Sequence, residues 1–169
     1  MRAQLLFSAL LLGASLGSHA TQSTAPKAVA QDQVLSTLFY PANRIVGVWQ
    51  IHVSLHPCAN PSAPPTEFFA LNTYYVGGTL SDTNSFPPGL RKPGMGVWSY
   101  DWRQRKWRSR MTFMRFVNGV FDGVNVANNE LTMLDNNHNT ADVHAYVLNL
   151  DGSVRVELCG TADGERFDL

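Results

Sequence analysis

The sequence has no Ser-His-Asp pattern, no glycine loop that would cradle a phosphate, and no cysteine–histidine spacing typical of a metal site. It therefore offers no ready-made hydrolase, nucleotide enzyme or zinc module. Charge of one sign is also missing: 13 basic residues stand against 13 acidic ones. That balance excludes a global attraction to nucleic acid or to an anionic membrane. No helical period lasts three turns or more, which excludes a helical bundle. Cysteine is scarce, with only Cys58 and Cys159.

The first twenty residues read as an address. Arg2 gives the positive start, Leu5 to Leu16 the apolar core, and Ser18-His19-Ala20 the small-x-small cleavage site of a signal peptide. The apolar run is short for a bilayer span, and no cysteine at the cleavage point invites a lipid anchor. The expected product is secreted or periplasmic, from Thr21 to Leu169, long enough for one domain. In an oxidising compartment Cys58 and Cys159 would either pair or remain two buried thiols. Pairing would close a loop of about 100 residues, stabilising by about 4–5 kcal/mol in the chain-entropy account. Against it stands the position of Cys58 just past the first strand, with Cys159 deep in an antiparallel last one. Residues 21–42 are polar and irregular. Within them Asp32 to Tyr40 has one amphipathic turn (Val34, Leu35, Leu38, Phe39) that would plug a barrel end.

From Ile45 the pattern changes to a period of two. Ile45, Gly47, Trp49, Ile51, Val53 and Leu55 share one face, and Gln50, His52 and Ser54 the other. Such alternation marks a strand with a core on one side and water on the other. Seven more strands follow: Glu67–Val76, Thr79–Ser85, Met95–Trp102, Lys106–Val117, Val120–Leu134 with a bend at Asn128-Asn129, Ala141–Leu150 and Val154–Thr161. Gly77-Gly78, Asn118-Gly119 and Asp151-Gly152 supply two-residue hairpin turns. The expected fold over residues 43–169 is all-β, an eight-stranded up-and-down antiparallel barrel with an apolar interior. Eight strands allow either a filled interior or room for one small ligand.

Gly47-Val48-Trp49 resembles the Gly-x-Trp signature of the lipocalins and the wider calycin superfamily. Three further blocks, Gly77-Gly78-Thr79-Leu80-Ser81-Asp82, Pro93-Gly94-Met95-Gly96-Val97-Trp98 and Gly160-Thr161-Ala162-Asp163-Gly164-Glu165-Arg166-Phe167, are similar to small exported bacterial barrel proteins. The resemblance implies that the tryptophan packs across the closed barrel end against a basic residue of the last strand, Arg155 or Arg166. It also implies a carrier. The chain lacks the Thr-Asp-Tyr block and the long C-terminal helix of the core lipocalins.

Several clusters are candidates for chemistry. Trp107, Ser109, Met111 and Phe113 alternate with Lys106, Arg108, Arg110 and Thr112, so the tryptophan side is expected to face inward. Trp98, Tyr100 and Trp102 form a second aromatic stripe that is either core or a stacking wall. Eight basic residues between 91 and 115 interleave with tryptophan, which is a footprint of single-strand binding or simply a solvated hairpin face; charge neutrality favours the latter. His52 and His56 lie about 13 Å apart along a strand, too far for one ion. Asp142, His144 and Tyr146 share a face of the seventh strand and would serve as acid and base if that face is inward. If Val143, Ala145 and Val147 point in instead, the three are at the surface.

The leading reading is an exported, non-enzymatic barrel that binds a small apolar or amphipathic molecule. Ile51, Tyr75, Trp98, Tyr100, Trp107, Met111 and Phe113 would line the site, and the proline-rich loops at 56–66 and 86–93 would form its mouth. It calls for no cofactor, metal, nucleic-acid partner or transmembrane segment. Two alternatives are a barrel isomerase, cyclase or lyase using His144 with Asp142 or Tyr146, and a solid-barrel surface interaction protein.

Overall fold

A computed structural model describes residues 40–167. The leader expected at 1–20 and the turn anticipated from Asp32 lie outside the described residues. A 3-10 turn, Pro41–Ile45, leads into eight strands: β1 (Gly47–Pro57), β2 (Thr66–Tyr74), β3 (Thr79–Asn84), β4 (Gly94–Asp101), β5 (Lys106–Val117), β6 (Val120–Met133), β7 (His138–Leu148) and β8 (Val154–Arg166). Each pairs antiparallel with the next, and β8 returns to β1, so the sheet closes into the up-and-down barrel that the alternation predicts. Closure leaves no unpaired edge. The facing of β1 and β5 follows the hydrophobic period: Trp49, Ile51, Val53, Leu55, Trp107 and Ser109 are buried, while Arg108 and Arg110 face water.

The floor is made by the β2–β3, β4–β5 and β6–β7 turns and the 3-10 turn. Trp49 is fully buried there, and its indole donates to the Ile45 carbonyl at 2.7 Å. The Trp107 indole donates to the Ala42 carbonyl at 2.7 Å, tying the N-terminal turn to β5. Arg166 lies over the Trp49 ring at 4.3 Å and donates to the carbonyls of Val46 (2.9 Å), Arg44 (2.6 Å) and Asn136 (3.0 Å). Of the two arginines anticipated beside the tryptophan, Arg166 occupies the place. Arg155 sits at the opposite end of β8, 3.0 Å from Asp122. Gly47 is part of the same arrangement: its φ is +132°, and a Cβ there would stand 2.7 Å from Arg166 Nη1.

At the mouth Cys58 and Cys159 are joined in a disulfide, with Cα atoms 4.9 Å apart. The Cys58 amide donates to the Glu157 carbonyl at 3.0 Å, which carries the β1–β8 ladder one step past Pro57. That step places Cys58 diagonally beside Cys159, so lying beyond the strand end is no obstacle.

Several details differ from the sequence expectation: β7 begins at His138 rather than Ala141, and Gly77-Gly78 closes a four-residue connection from Tyr75 rather than a two-residue turn. β6 keeps regular pairing through Asn128-Asn129, and the register shift falls instead between Arg115 and Phe116, opposite Gly123. The β7–β8 connection spans Asn149 to Ser153 rather than two residues, because the Asp151 carboxylate accepts from the Ser153 amide (2.9 Å) and hydroxyl (2.6 Å) and stabilises a wider turn. β8 continues past Thr161 to Arg166, and its glycines allow this: a Cβ at Gly160 would lie 1.9 Å from the Ser54 carbonyl oxygen.

Gly47→Ala should lower stability by about 1–3 kcal/mol, since it forces a strained backbone and displaces Arg166. Arg166→Lys should cost more than Arg155→Lys, which removes an exposed ion pair worth about 0–1 kcal/mol. Urea unfolding of the oxidised protein measures both, and equal losses for the two lysine variants would contradict the role given to Arg166.

Candidate functional site: an internal cavity

The barrel encloses a cavity of about 290 Å³. Its origin is legible in side-chain size: Ala70, Ala127, Ala141, Ala145 and Ala162 all line it and are all buried. Five inward positions that could carry leucine carry a single methyl instead, and the surrounding sheet cannot collapse to fill the space. Ile51, Val53, Leu55, Val143 and Leu158 add aliphatic wall. Towards the mouth it becomes aromatic, with Phe68 and Phe86 packed at 4.8 Å and Phe113 beside them.

The interior is not simply apolar, however. Asp82 on β3 and Arg91 in the loop before β4 both line the cavity and are hydrogen-bonded to each other, with side chains only 2% and 6% exposed. The guanidinium also stacks 3.8 Å over the Phe113 ring and donates to the Lys92 carbonyl at 3.1 Å. Gly94 makes room for the pair, since a Cβ there would lie 2.7 Å from Asp82 Oδ1. Burial pushes the Asp82 carboxyl above its ordinary range, and the charge and hydrogen bond of Arg91 pull it back in part.

Below the ion pair lies a polar floor. Asn129 donates to the Ser109 hydroxyl at 3.0 Å, and the buried Tyr74 hydroxyl sits beside Ser109 and Asn72. Burial raises the Tyr74 pKa, so the phenol is neutral and remains a donor. Asn72 Oδ1, Asn125 Oδ1 and Asn139 Nδ2 have no hydrogen-bond partner among the described residues. Asn72 and Asn139 are only 6% and 2% exposed.

The sequence-named lining residues divide. Ile51, Met111 and Phe113 line the cavity. Trp107 is buried in the floor against Tyr100, ring centres 4.7 Å apart, and neither is part of the cavity wall. Trp98 packs against the core and donates to the Tyr75 carbonyl at 3.0 Å. Tyr75 itself lies past the end of β2 and is 48% exposed, with its hydroxyl 3.1 Å from Ser81. Trp102 is exposed in the β4–β5 turn, so the aromatic stripe of β4 is floor packing rather than a stacking wall.

Val143 and Ala145 point inward, which puts Asp142 and His144 outside the cavity lining. Tyr146 borders the cavity, but its ring rests 4.6 Å from His144. His144 Nε2 lies 3.4 Å from a Glu157 carboxylate oxygen. Donor atoms of Cys58, His144 and Cys159 come within 4.8 Å of one another, although the two sulfurs are bonded to each other and are not available as thiolates. His52 faces Glu67 at 3.8 Å. Half of the basic run is paired with acids of neighbouring elements: Arg91 with Asp82, Lys106 and Arg108 with Glu130, and Arg115 with Asp122.

Fold and site together define a closed eight-stranded antiparallel barrel with a part-polar internal cavity. No protein-family model and no curated protein sequence matches the chain. Among solved structures, the S-type phycobiliprotein lyase of Guillardia theta is similar, with a TM-score of 0.41 and 10% identity over 75% of this chain and 90% of that one. Among the described residues no helix is long and apolar enough to cross a membrane.

Arg91→Met should destabilise by about 3–5 kcal/mol near neutral pH, because it leaves the Asp82 carboxylate, already penalised by burial, without its partner. The double change Asp82→Leu with Arg91→Met should return close to, or above, the parent stability. The sign with pH follows from the raised Asp82 pKa: the folded state binds this proton more tightly, so its ionisation opposes folding as pH rises from the ordinary carboxylate value through the raised one. The double variant's advantage should therefore grow with pH across that window. Asp101, Asp122 and Glu130, all held below their usual range by hydrogen bonds and cations, act in the opposite sense and make both proteins lose stability towards acid. Urea titrations at a series of pH values test this, and a single variant as stable as the double one would refute it.

Proposed function

We propose that the protein is an exported, calycin-like binding protein that holds one small amphipathic molecule inside its barrel. The observation that carries this reading is the alanine-lined cavity of about 290 Å³ beneath an aromatic mouth. Ligand pockets typically begin near 300 Å³ and are mostly apolar with a few placed polar groups, and this cavity fits that description. The Gly47-x-Trp49 pair with Arg166 packed on the indole supports the calycin reading. The leader-like N-terminus and the Cys58–Cys159 disulfide support an oxidising compartment outside the cytoplasm. Burial of a ligand at about 25 cal/mol per Å² would drive binding, with the floor groups fixing its orientation.

Equilibrium dialysis of the protein with naphthalene should give one bound molecule per chain. Ala141→Phe, which places a ring in the cavity, should weaken that binding at least tenfold while thermal unfolding stays two-state. Failure of the parent protein to take up naphthalene or any other two-ring probe, or unchanged uptake by the filled variant, would overturn the proposal. Export makes a separate prediction: the full chain expressed in a bacterium should be recovered outside the cytoplasm with Thr21 at its N-terminus, by intact mass.

A further inference from the structure

We infer that the Cys58–Cys159 bridge is a thiol–disulfide exchange site on the outer wall, taking two electrons from a dithiol while His144 gives a proton to the departing sulfur. The facing of the strands places it there. Pro57 and Leu158 line the cavity, and the cysteines that follow them in the chain turn the other way, on the face of His144. Cys58, Cys159 and His144 are all part-exposed. The site is thus separate from the interior and from whatever the cavity holds.

Register brings the imidazole to the sulfur. His144 on β7 stands directly opposite Cys159 on β8, and such a cross-strand pair lies within side-chain reach. A ring nitrogen of His144 and the two sulfurs all lie within 4.8 Å of one another. Nε2 of the ring is covered and has no hydrogen-bond partner among the described residues. A Glu157 carboxylate oxygen at 3.4 Å from Nε2 supplies a counter-charge to the protonated ring. The Tyr146 hydroxyl lies 3.3 Å from Nδ1, and its ring packs beside the imidazole. His56, opposite Cys159 on the β1 side, turns its Nδ1 to the Pro57 carbonyl at 3.1 Å instead.

A thiolate leaves a disulfide faster when its developing charge is met, and a histidine cation beside a cysteine meets it. Cys58 heads the largely exposed stretch 59–65, whereas Cys159 is enclosed between β7 and β1. A donor thiolate therefore attacks Cys58 Sγ. The S–S bond breaks, its electron pair goes to Cys159 Sγ, and that sulfur takes a proton from His144. The donor's second thiolate then attacks its own sulfur in the mixed disulfide, which oxidises the donor and releases Cys58 to be protonated from solvent. The two protons lost by the donor thiols replace those taken from His144 and solvent.

Opening of the oxidised full chain by dithiothreitol, quenched with a maleimide and followed by mass, tests this. Expressed per dithiothreitol thiolate, the rate constant should fall as pH rises and the imidazolium is lost. Near neutral pH His144→Ala should be slower by at least about tenfold, and its profile should be flat. Other titratable or charged groups around the ring are Asp142 and Tyr146 on β7, Glu157 on β8, Glu130 and Arg110 on the β6 side, and His56. Glu157→Gln, which keeps the imidazole, should lose less than His144→Ala. His56→Ala, which removes the other imidazole beside Cys159, should leave rate and profile unchanged. Circular dichroism checks the barrel of each variant. Equal rates per thiolate in parent and His144→Ala, a parent profile without the fall, or a bridge that opens only once urea has unfolded the barrel would each overturn the inference.

Discussion

The structure depends on the contact between Trp49 and Arg166. A closed sheet is a tube, and a tube holds a water-free interior only if one end is shut. Here the shutter is an indole from the first strand, covered by a guanidinium from the last. The arginine satisfies carbonyls of the chain entering β1 and of the β6–β7 turn. One side chain thereby joins three segments that are far apart in sequence, and it does so at the seam where no hairpin links the strands. Gly47 is the steric condition for the contact, because any side chain there would occupy the space of the guanidinium.

With the floor fixed, the middle of the barrel is free to be imperfect. Alanines leave space, asparagines leave hydrogen bonds unmet, and an ion pair sits where hydrocarbon would be more stable. Each of these lowers stability, and all of them line the cavity. Such local inconsistency in an otherwise regular fold is what physical reasoning associates with a site rather than with structure alone. On the outer face Lys106, Arg108 and Arg115 meet Glu130 and Asp122.

Much of the fold could be read from the chain because alternation and turn chemistry are local. Ile45 to Leu55 declared its inner face, and Asn118-Gly119 declared its hairpin through the positive φ that both residues adopt. The site was only half legible. Met111 and Phe113 followed from the phase of β5, whereas Tyr75 lies beyond its strand and Trp98, assigned from the aromatic stripe of β4, packs against the core outside the cavity. Asp82 was in phase with buried Leu80, so its inward position was visible in the sequence. What was not visible was its partner: Arg91 lies in a proline-rich loop, and no periodicity predicts that such a loop folds back into a barrel. The alanines carried a signal too, since small residues at inward positions on several strands imply a gap. That inference requires knowing which positions face one another across the barrel, and register is a tertiary property.

The seam between β1 and β8 is fastened twice, by the disulfide near the mouth and by the arginine at the floor. The β3 segment of the ring is different in kind: β3 has six residues, where β6 has fourteen. The tube is therefore unevenly stiff around its circumference. Transient openings cost least where ladders are short and pairing is sparse, which in this ring is the β3 segment, beside Asp82 and the loop that carries Arg91. The covalent clasp and the arginine thus hold the one junction that no turn ties, while the shortest ladder is left without either.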